Sequence, residues 1–207
     1  MSGSGKSAAL LRKGLNGAGL SAQELQRCGY NAKQLKEGGF SAGELKGANM
    51  TASDLKTGGY TAEELKGWYT VPELKAAGYS VKELHAASFP SIELKKAGFD
   101  AAQQILGGYS AGELKAAGFS AKELKNTGSN AHGFSAAELR NVLYTATELR
   151  TAHYSCKECK AAGYPITELK EAGFSHNELY TAGFSFAELK SAGFGDHLLV
   201  TIPGYSV

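Results

Sequence analysis

The chain has 207 residues, enough for one large or two small domains with a sizeable core. Hydrophobic residues make up 43% and charged residues 20%, as in an ordinary folded protein. The formal net charge of +2 gives no reason to expect a nucleic acid or an anionic membrane surface as the partner, and no apolar run is long enough to span a membrane.

Residues 1–20 are predicted to form a degenerate N-terminal cap. The stretch Gly-Ser-Gly-Lys-Ser at 3–7 is similar to the second half of a phosphate-binding loop. That motif requires a further glycine five residues before Gly5, and the sequence has no residue there. We therefore interpret this stretch as a flexible N-terminus.

Residues 21–194 form seventeen tandem units, most of them ten residues long, with the consensus Ser-Ala-x-Glu-Leu-Lys-x-Ala-Gly-Phe/Tyr. The first position is Ser, Thr, Asn or Asp in fifteen of the seventeen units, and Pro90 and Pro165 are the exceptions. The fourth position is Glu in fourteen units. Ser/Thr-x-x-Glu is the capping box that begins a helix, and a glycine followed by a large apolar residue is typical of a Schellman ending. Each unit is thus predicted to be one two-turn helix capped at both ends.

Helices of two turns are not stable alone in water, so neighbouring units must hold them. The Ala, Leu and Ala at positions two, five and eight share one helix face, and the aromatic residue at position ten adds a second anchor. We predict an all-α solenoid of very short helices, one for each decapeptide, with two units per layer. The Lys and Glu rows are expected to be mainly a solvated face, with pairing across units left open.

A β-solenoid like that of pentapeptide-repeat proteins is the alternative fold, because Leu and an aromatic residue alternate every five residues. Such coils need a small residue two places before each inward-pointing one. This chain has residues such as Lys33, Glu63 and Lys122 there, and burying them unpaired would cost too much free energy.

Three departures interrupt the repeat. The unit at 61–69 has nine residues and contains Trp68, the sole tryptophan, and the unit that begins at Ser120 gains five residues near 129–134. An insertion that leaves the units on both sides intact is expected in a surface turn. Cys156 and Cys159 form a Cys-x-x-Cys pair with His153 nearby, which makes these three residues weak candidates for a metal site. Because the cysteines take the small and the Leu positions of the repeat, we interpret them as core residues.

Residues 195–207 abandon the consensus and are predicted to be a C-terminal cap or a docking tail. The residues predicted to contact a partner lie in the departures and this tail: Trp68, Asn130, His132, Leu199, Ile202 and Tyr205.

The phrases Phe-Ser-Ala-Lys-Glu-Leu-Lys at 119–125 and Gly-Phe-Ser-Ala-Ala-Glu-Leu at 133–139 resemble those of tandem decapeptide-repeat proteins, and the resemblance covers about residues 11–194. This resemblance implies a repeat architecture and carries no activity with it.

No set of nucleophile, base and orienting residue emerges from the sequence, so we expect no enzyme activity, no cofactor and no metal. We expect a structural linker that spans or bridges protein subunits of a larger assembly. The alternative is an adaptor that binds a peptide or protein along its groove. Three cysteines make no disulfide framework, so the expected setting is intracellular, and cytoplasmic by default.

Overall fold

The fold was analysed in a computed structural model that describes residues 10, 19–125 and 133–203. Within the described residues, 19–125 and 133–203 contain eighteen short helices and no strand. The helices are α1 Ala22–Arg27, α2 Ala32–Glu37, α3 Ala42–Gly47, α4 Ala52–Thr57, α5 Ala62–Leu65, α6 Val71–Ala76, α7 Val81–Ala86, α8 Ser91–Lys96, α9 Ala101–Leu106, α10 Ala111–Ala116, α11 Ala121–Lys125, α12 Ala136–Asn141, α13 Ala146–Thr151, α14 Cys156–Ala161, α15 Ile166–Glu171, α16 His176–Thr181, α17 Phe186–Ser191 and α18 Asp196–Leu199. The all-α prediction is confirmed, and the β-solenoid alternative is wrong.

Fifteen of the eighteen described helices begin at the predicted capping box. In α10 the amide of Glu113 donates to the Ser110 hydroxyl at 3.3 Å, and the amide of Ser110 donates to the Glu113 carboxylate at 2.8 Å. These two bonds satisfy backbone donors that a helix leaves without partners at its start. Pro90 and Pro165 start α8 and α15 without a side-chain cap.

Most of the described helices end in the predicted Schellman geometry. In the unit of α6, the amide of Tyr79 donates to the Leu74 carbonyl at 3.0 Å, and the amide of Gly78 donates to the Lys75 carbonyl at 2.9 Å. Gly78 has a φ of +82°, a left-handed conformation that glycine adopts without a steric cost. Four residues other than glycine adopt it at the same repeat position: Asn49, Ser88, Leu143 and His153.

The chain divides into two compact units. The first comprises residues 1–99 and 106–108, and the second comprises residues 100–105 and 109–207. Alternate helices pack together within each unit: α1 with α3, α2 with α4 and α3 with α5 in the first, and α11 with α13, α12 with α14 and α13 with α15 in the second. Two repeats therefore complete one turn of the solenoid.

The leucines at position five form the core of both units. Leu25 and Leu74 in the first unit and Leu114 and Leu189 in the second have no exposed surface. Burying a leucine stabilises a fold by about 1.5–3 kcal/mol, so stacking offsets the cost of ordering such short helices.

The two repeats of unusual length keep the hydrogen bond from the amide of the last aromatic residue to the carbonyl of the leucine. In the nine-residue unit the amide of Tyr69 donates to the Leu65 carbonyl at 3.0 Å, one residue closer along the chain than in the regular unit. In the long unit the amide of Phe134 donates to the Leu124 carbonyl at 2.9 Å, although ten residues separate them. The extra residues therefore leave the stacking of α11 on α13 intact. The insertion itself lies mostly within residues 126–132, outside the described part.

The C-terminal segment departs from the consensus yet continues the repeat. The helix α18 places Leu199 at the fifth position of a further unit, where the side chain is completely buried. Thr201 of this segment lies 2.9 Å, between side-chain atoms, from His176 two units earlier. The segment thus extends the stack by a partial repeat, although Gly195 supplies no side-chain cap.

Candidate interaction surfaces

The basic residues at position six lie on the repeat two units further along the chain. Lys75 Nζ donates to the carbonyls of Ala97 and Gly98 at 2.9 and 2.8 Å, and lies 4.4 Å from the centroid of the Phe99 ring. These carbonyls close the C-terminal end of the stacked helix α8, where a positive charge is favourable. The cation therefore caps a neighbouring helix while its charge lies against an aromatic face.

The same contact between a basic and an aromatic side chain recurs within each of the two units, and we call this series of contacts the cation–aromatic ladder. In the first unit the pairs are Lys36 with Tyr60, Lys46 with Tyr69, Lys56 with Tyr79, Lys66 with Phe89 and Lys75 with Phe99. In the second they are Lys115 with Tyr144, Lys125 with Tyr154, Arg140 with Tyr164, Arg150 with Phe174, Lys160 with Phe184 and Lys170 with Phe194. The basic row therefore makes contacts between stacked repeats, the pairing that the sequence left open, while its side chains keep part of their surface exposed to solvent.

A signal for this ladder is present in the sequence. A basic residue at position six precedes an aromatic residue by 23 or 24 residues along most of the chain, about two repeats and four residues, and by 29 where the long repeat lies between them. The repeat at 21–30 has Gln26 in place of a basic residue at position six. The partner position two repeats further on then holds Met50 in place of an aromatic residue. The acidic row joins the ladder in places, because Lys36 Nζ lies 2.7 Å from the Glu64 carboxylate and Lys56 Nζ lies 3.6 Å from that of Glu83.

Tyrosines at the last position of their repeats bond to the repeat two units earlier in the chain. The Tyr79 hydroxyl donates to the Tyr60 carbonyl at 2.6 Å, and the Tyr69 hydroxyl donates to the Met50 carbonyl at 2.7 Å. Burial raises the pKa of both hydroxyls to about 12, which keeps them protonated donors. Their role is structural.

An open recess recurs between stacked repeats. It is lined by the first three residues of one repeat and by the fourth, seventh and eighth residues of the repeat two units on. We call this feature the inter-repeat recess. In the first unit such recesses lie at 61–63 with 83–87, at 51–53 with 73–77, at 21–23 with 44–48 and at 31–33 with 54–58. In the second unit one lies at 155–157 with 178–182. The first two have cavity volumes of about 500 Å³.

The Trp68 side chain covers the corresponding position between α3 and α5. A Cβ atom at Gly43 would lie only 2.5 Å from Cζ2 of the indole, so the ring rests directly on the glycine backbone. Trp68 remains 52% exposed. This predicted contact residue is therefore held in place by its own unit and still presents about half of its surface to solvent.

The weak metal candidates do not converge. Cys156 and Cys159 are buried at core positions of α14, and burial raises the pKa of each thiol to about 11. His153 is exposed at the turn before that helix. In the described ranges no three His, Cys, Asp or Glu side chains form a group that could hold a metal ion.

The other predicted contact residues divide into two groups. Leu199 and Ile202 are buried within the chain itself, which favours the cap over the docking tail for this segment. Asn130, His132 and Tyr205 lie outside the described residues. Among the helices that the structure describes, none has the length and apolar character needed to cross a membrane.

The tandem helices and their ladder define the class of protein as an all-α repeat solenoid. A family model described as "Decapeptide repeat region" matches residues 6–68, 68–132 and 130–196. The chain belongs to this decapeptide-repeat family, as its repeated phrase indicated. Comparison with curated proteins and with solved structures gives no significant match.

Proposed function

We propose that the chain is a non-catalytic structural linker that bridges protein subunits of a larger intracellular assembly. The observation that supports this role is that the repeated polar side chains form hydrogen bonds within the solenoid. The capping Ser and Glu bond to each other, and the basic residues bond to carbonyls of the next layer. These repeated side chains therefore stabilise the solenoid itself. The exposed Trp68, which departs from the repeat, is available for contact with a partner protein.

A bridging role requires two different partners on one chain at the same time. A photo-cross-linking residue is introduced at Trp68 in one preparation and at Asn130 in another, and a doubly labelled chain is the third. In extracts of the native source, we expect different proteins at the two positions and a ternary adduct with the doubly labelled chain. Cross-links to one and the same protein from both positions, with no ternary adduct, would contradict bridging.

The second candidate function is an adaptor that binds a partner segment along the solenoid. The recurring inter-repeat recess supports it, because successive layers offer the same shape. Cross-links that arise from exposed Ala86 or Ala76, which line two recesses, and not from Trp68 would favour the adaptor over the linker.

A further inference from the structure

We propose that the repeat at 100–109, which contains α9, is a point of local opening: its helix unfolds and refolds while the neighbouring repeats stay folded. Three contacts that stabilise other repeats are altered here. They are the core leucine, the basic residue that a repeat contributes to the cation–aromatic ladder, and the basic residue that it receives from the ladder. This property goes beyond the linker role and does not depend on it.

The core position of α9 holds an amide in place of a leucine. Gln104 takes position five, where the repeats two before and two after have Leu84 and Leu124, and all three side chains are completely buried. Among the described residues no buried side-chain nitrogen or oxygen lacks a hydrogen-bond partner, so the amide of Gln104 is satisfied. Such a bond replaces bonds to water and contributes little net free energy, whereas a buried leucine gains its full transfer free energy. Stacking therefore stabilises α9 less than a helix with the consensus leucine.

The ladder loses the basic residue that this repeat would contribute. Lys115 and Lys125, in the next two repeats, contact the rings of Tyr144 and Tyr154, which follow them by 29 residues. At the same separation from Ile105 lies Phe134, which is half-buried, whereas both tyrosines are buried. An isoleucine supplies no ammonium group to this ring. The last turn of α9 also has no basic residue to offset its own helix dipole.

The ladder contact that this repeat receives is also altered. Two repeats earlier, position six holds His85 in place of lysine. A Cβ atom at Gly108 would lie 3.2 Å from Nδ1 of His85, and one at Gly98 would lie 3.4 Å from Nζ of Lys75, so the imidazole takes the place of the ammonium group. Nδ1 can donate one hydrogen bond at most, whereas Lys75 Nζ donates to two carbonyls. The turn after α9 is therefore held less firmly than the turn after α8.

The altered contacts coincide with the boundary between the two compact units. Residues 100–105 and 109 belong to the second unit and residues 106–108 to the first, so the boundary falls inside this repeat. The stability of a solenoid repeat is approximately the sum of its own folding free energy and that of its interfaces with its neighbours. Segments with fewer stabilising contacts open at a lower free energy than the rest of the fold. The repeat at 100–109 is therefore expected to open first among the interior repeats.

Amide hydrogen exchange, followed by NMR on the full chain under native conditions, measures this opening. The amides of Gln104 and Tyr109 donate to the carbonyls of Asp100 and Gln104, both at 3.1 Å. We expect these two amides to exchange at least about tenfold faster than the equivalent amides of other repeats, after correction for intrinsic exchange rates. The equivalent amides are those of Leu84 and Phe89 in the first unit and of Leu149 and Tyr154 in the second.

Reversions to the consensus locate the cause. Gln104→Leu restores the core leucine and is expected to slow exchange at residues 104 and 109 at least about fivefold. Ile105→Lys restores the ladder residue and the positive helix end, and should slow it about two- to fivefold. Cys159→Leu is the matched control, because it restores the leucine in the other repeat that lacks one, where Lys160 keeps its contact with Phe184. It is expected to leave exchange at 104 and 109 unchanged.

Equal exchange at the three pairs of amides would overturn the proposal. So would rapid exchange at 104 and 109 that neither Gln104→Leu nor Ile105→Lys slows, because the altered contacts would then not be its cause. Slowing of all three pairs by the same factor would mean a single opening of the whole chain, and would also contradict a local one. Both reversions introduce consensus residues, so the variants are expected to fold.

Discussion

The stretch Ser-Ala-Gly-Glu-Leu-Lys occurs twice, at 41–46 and at 110–115, and offers a matched pair of substitutions. Each copy begins a six-residue helix with the same capping box. The two glycines differ in what lies above them. A Cβ atom at Gly43 would clash with the Trp68 ring, whereas one at Gly112 would meet only Cγ1 of Val142, at an ordinary contact distance of 3.6 Å.

Gly112→Ala is expected to stabilise the fold by about 0.5–1 kcal/mol, because alanine loses less backbone entropy than glycine in a helix. Gly43→Ala has the same gain but displaces the indole. A tryptophan buries up to about 250 Å² when fully covered. Covering about half of it, at about 25 cal/mol per Å², contributes about 3 kcal/mol. Losing even half of that contribution makes Gly43→Ala destabilising by about 0.5–1 kcal/mol, the opposite sign to Gly112→Ala.

Urea unfolding monitored by circular dichroism measures both changes. Trp68 is the sole tryptophan, so its fluorescence gives an independent readout. We expect a red-shifted emission and stronger iodide quenching in Gly43→Ala, and unchanged emission in Gly112→Ala. Equal stabilisation of both variants with unchanged emission would refute the packing of Trp68 on Gly43.

Three further predictions follow from the turns, the ladder and the buried hydroxyls. Leu143→Gly is expected to stabilise the fold by about 0.5–1 kcal/mol, because Leu143 is 81% exposed and has a φ of +66° that strains a residue with a Cβ atom. Asn49→Gly, at the same repeat position, is the control and should change stability little because asparagine tolerates this conformation; equal effects in thermal unfolding would argue against strain at Leu143. Lys75→Met removes two carbonyl bonds and a ring contact and should cost about 1–2 kcal/mol in urea unfolding, whereas Lys82→Met, at an exposed position, should cost no more than about 0.5 kcal/mol. A similar cost for both lysines would mean that the ladder adds nothing. Because burial raises the pKa of Tyr79 to about 12, from about 10 in the unfolded chain, the folded state retains a proton that the unfolded state loses, so the free energy of unfolding falls as the pH rises from about 10 to 12. Tyr79→Phe should make this fall shallower over pH 9–11.5, and an unchanged slope would exclude Tyr79 as a contributor.

The helical units and their ends were predictable from the sequence because their determinants are local. The Ser110–Glu113 box and the turn at Gly78 each involve residues within one decapeptide, and the backbone geometry of a helix end needs no distant partner. The burial of the leucines was equally predictable, because a two-turn helix must bury its apolar face to form at all.

The ladder and the Trp68 contact could not be assigned in the same way. Lys75 and Phe99 are separated by more than two repeats, and only the number of repeats in a solenoid turn decides that they meet. The continuation of the stack through Leu199 was also missed, because the segment has lost its N-cap, its glutamate and its basic residue while retaining the single leucine that packs.

The helix that each decapeptide forms follows from its own residues, since capping bonds and helix periodicity act over fewer than ten residues. Which decapeptides contact each other follows instead from the packing of the folded chain. Stacking at an interval of two repeats is a property of how the helices pack, and that interval turns a row of lysines into caps for other helices and leaves the recesses between layers.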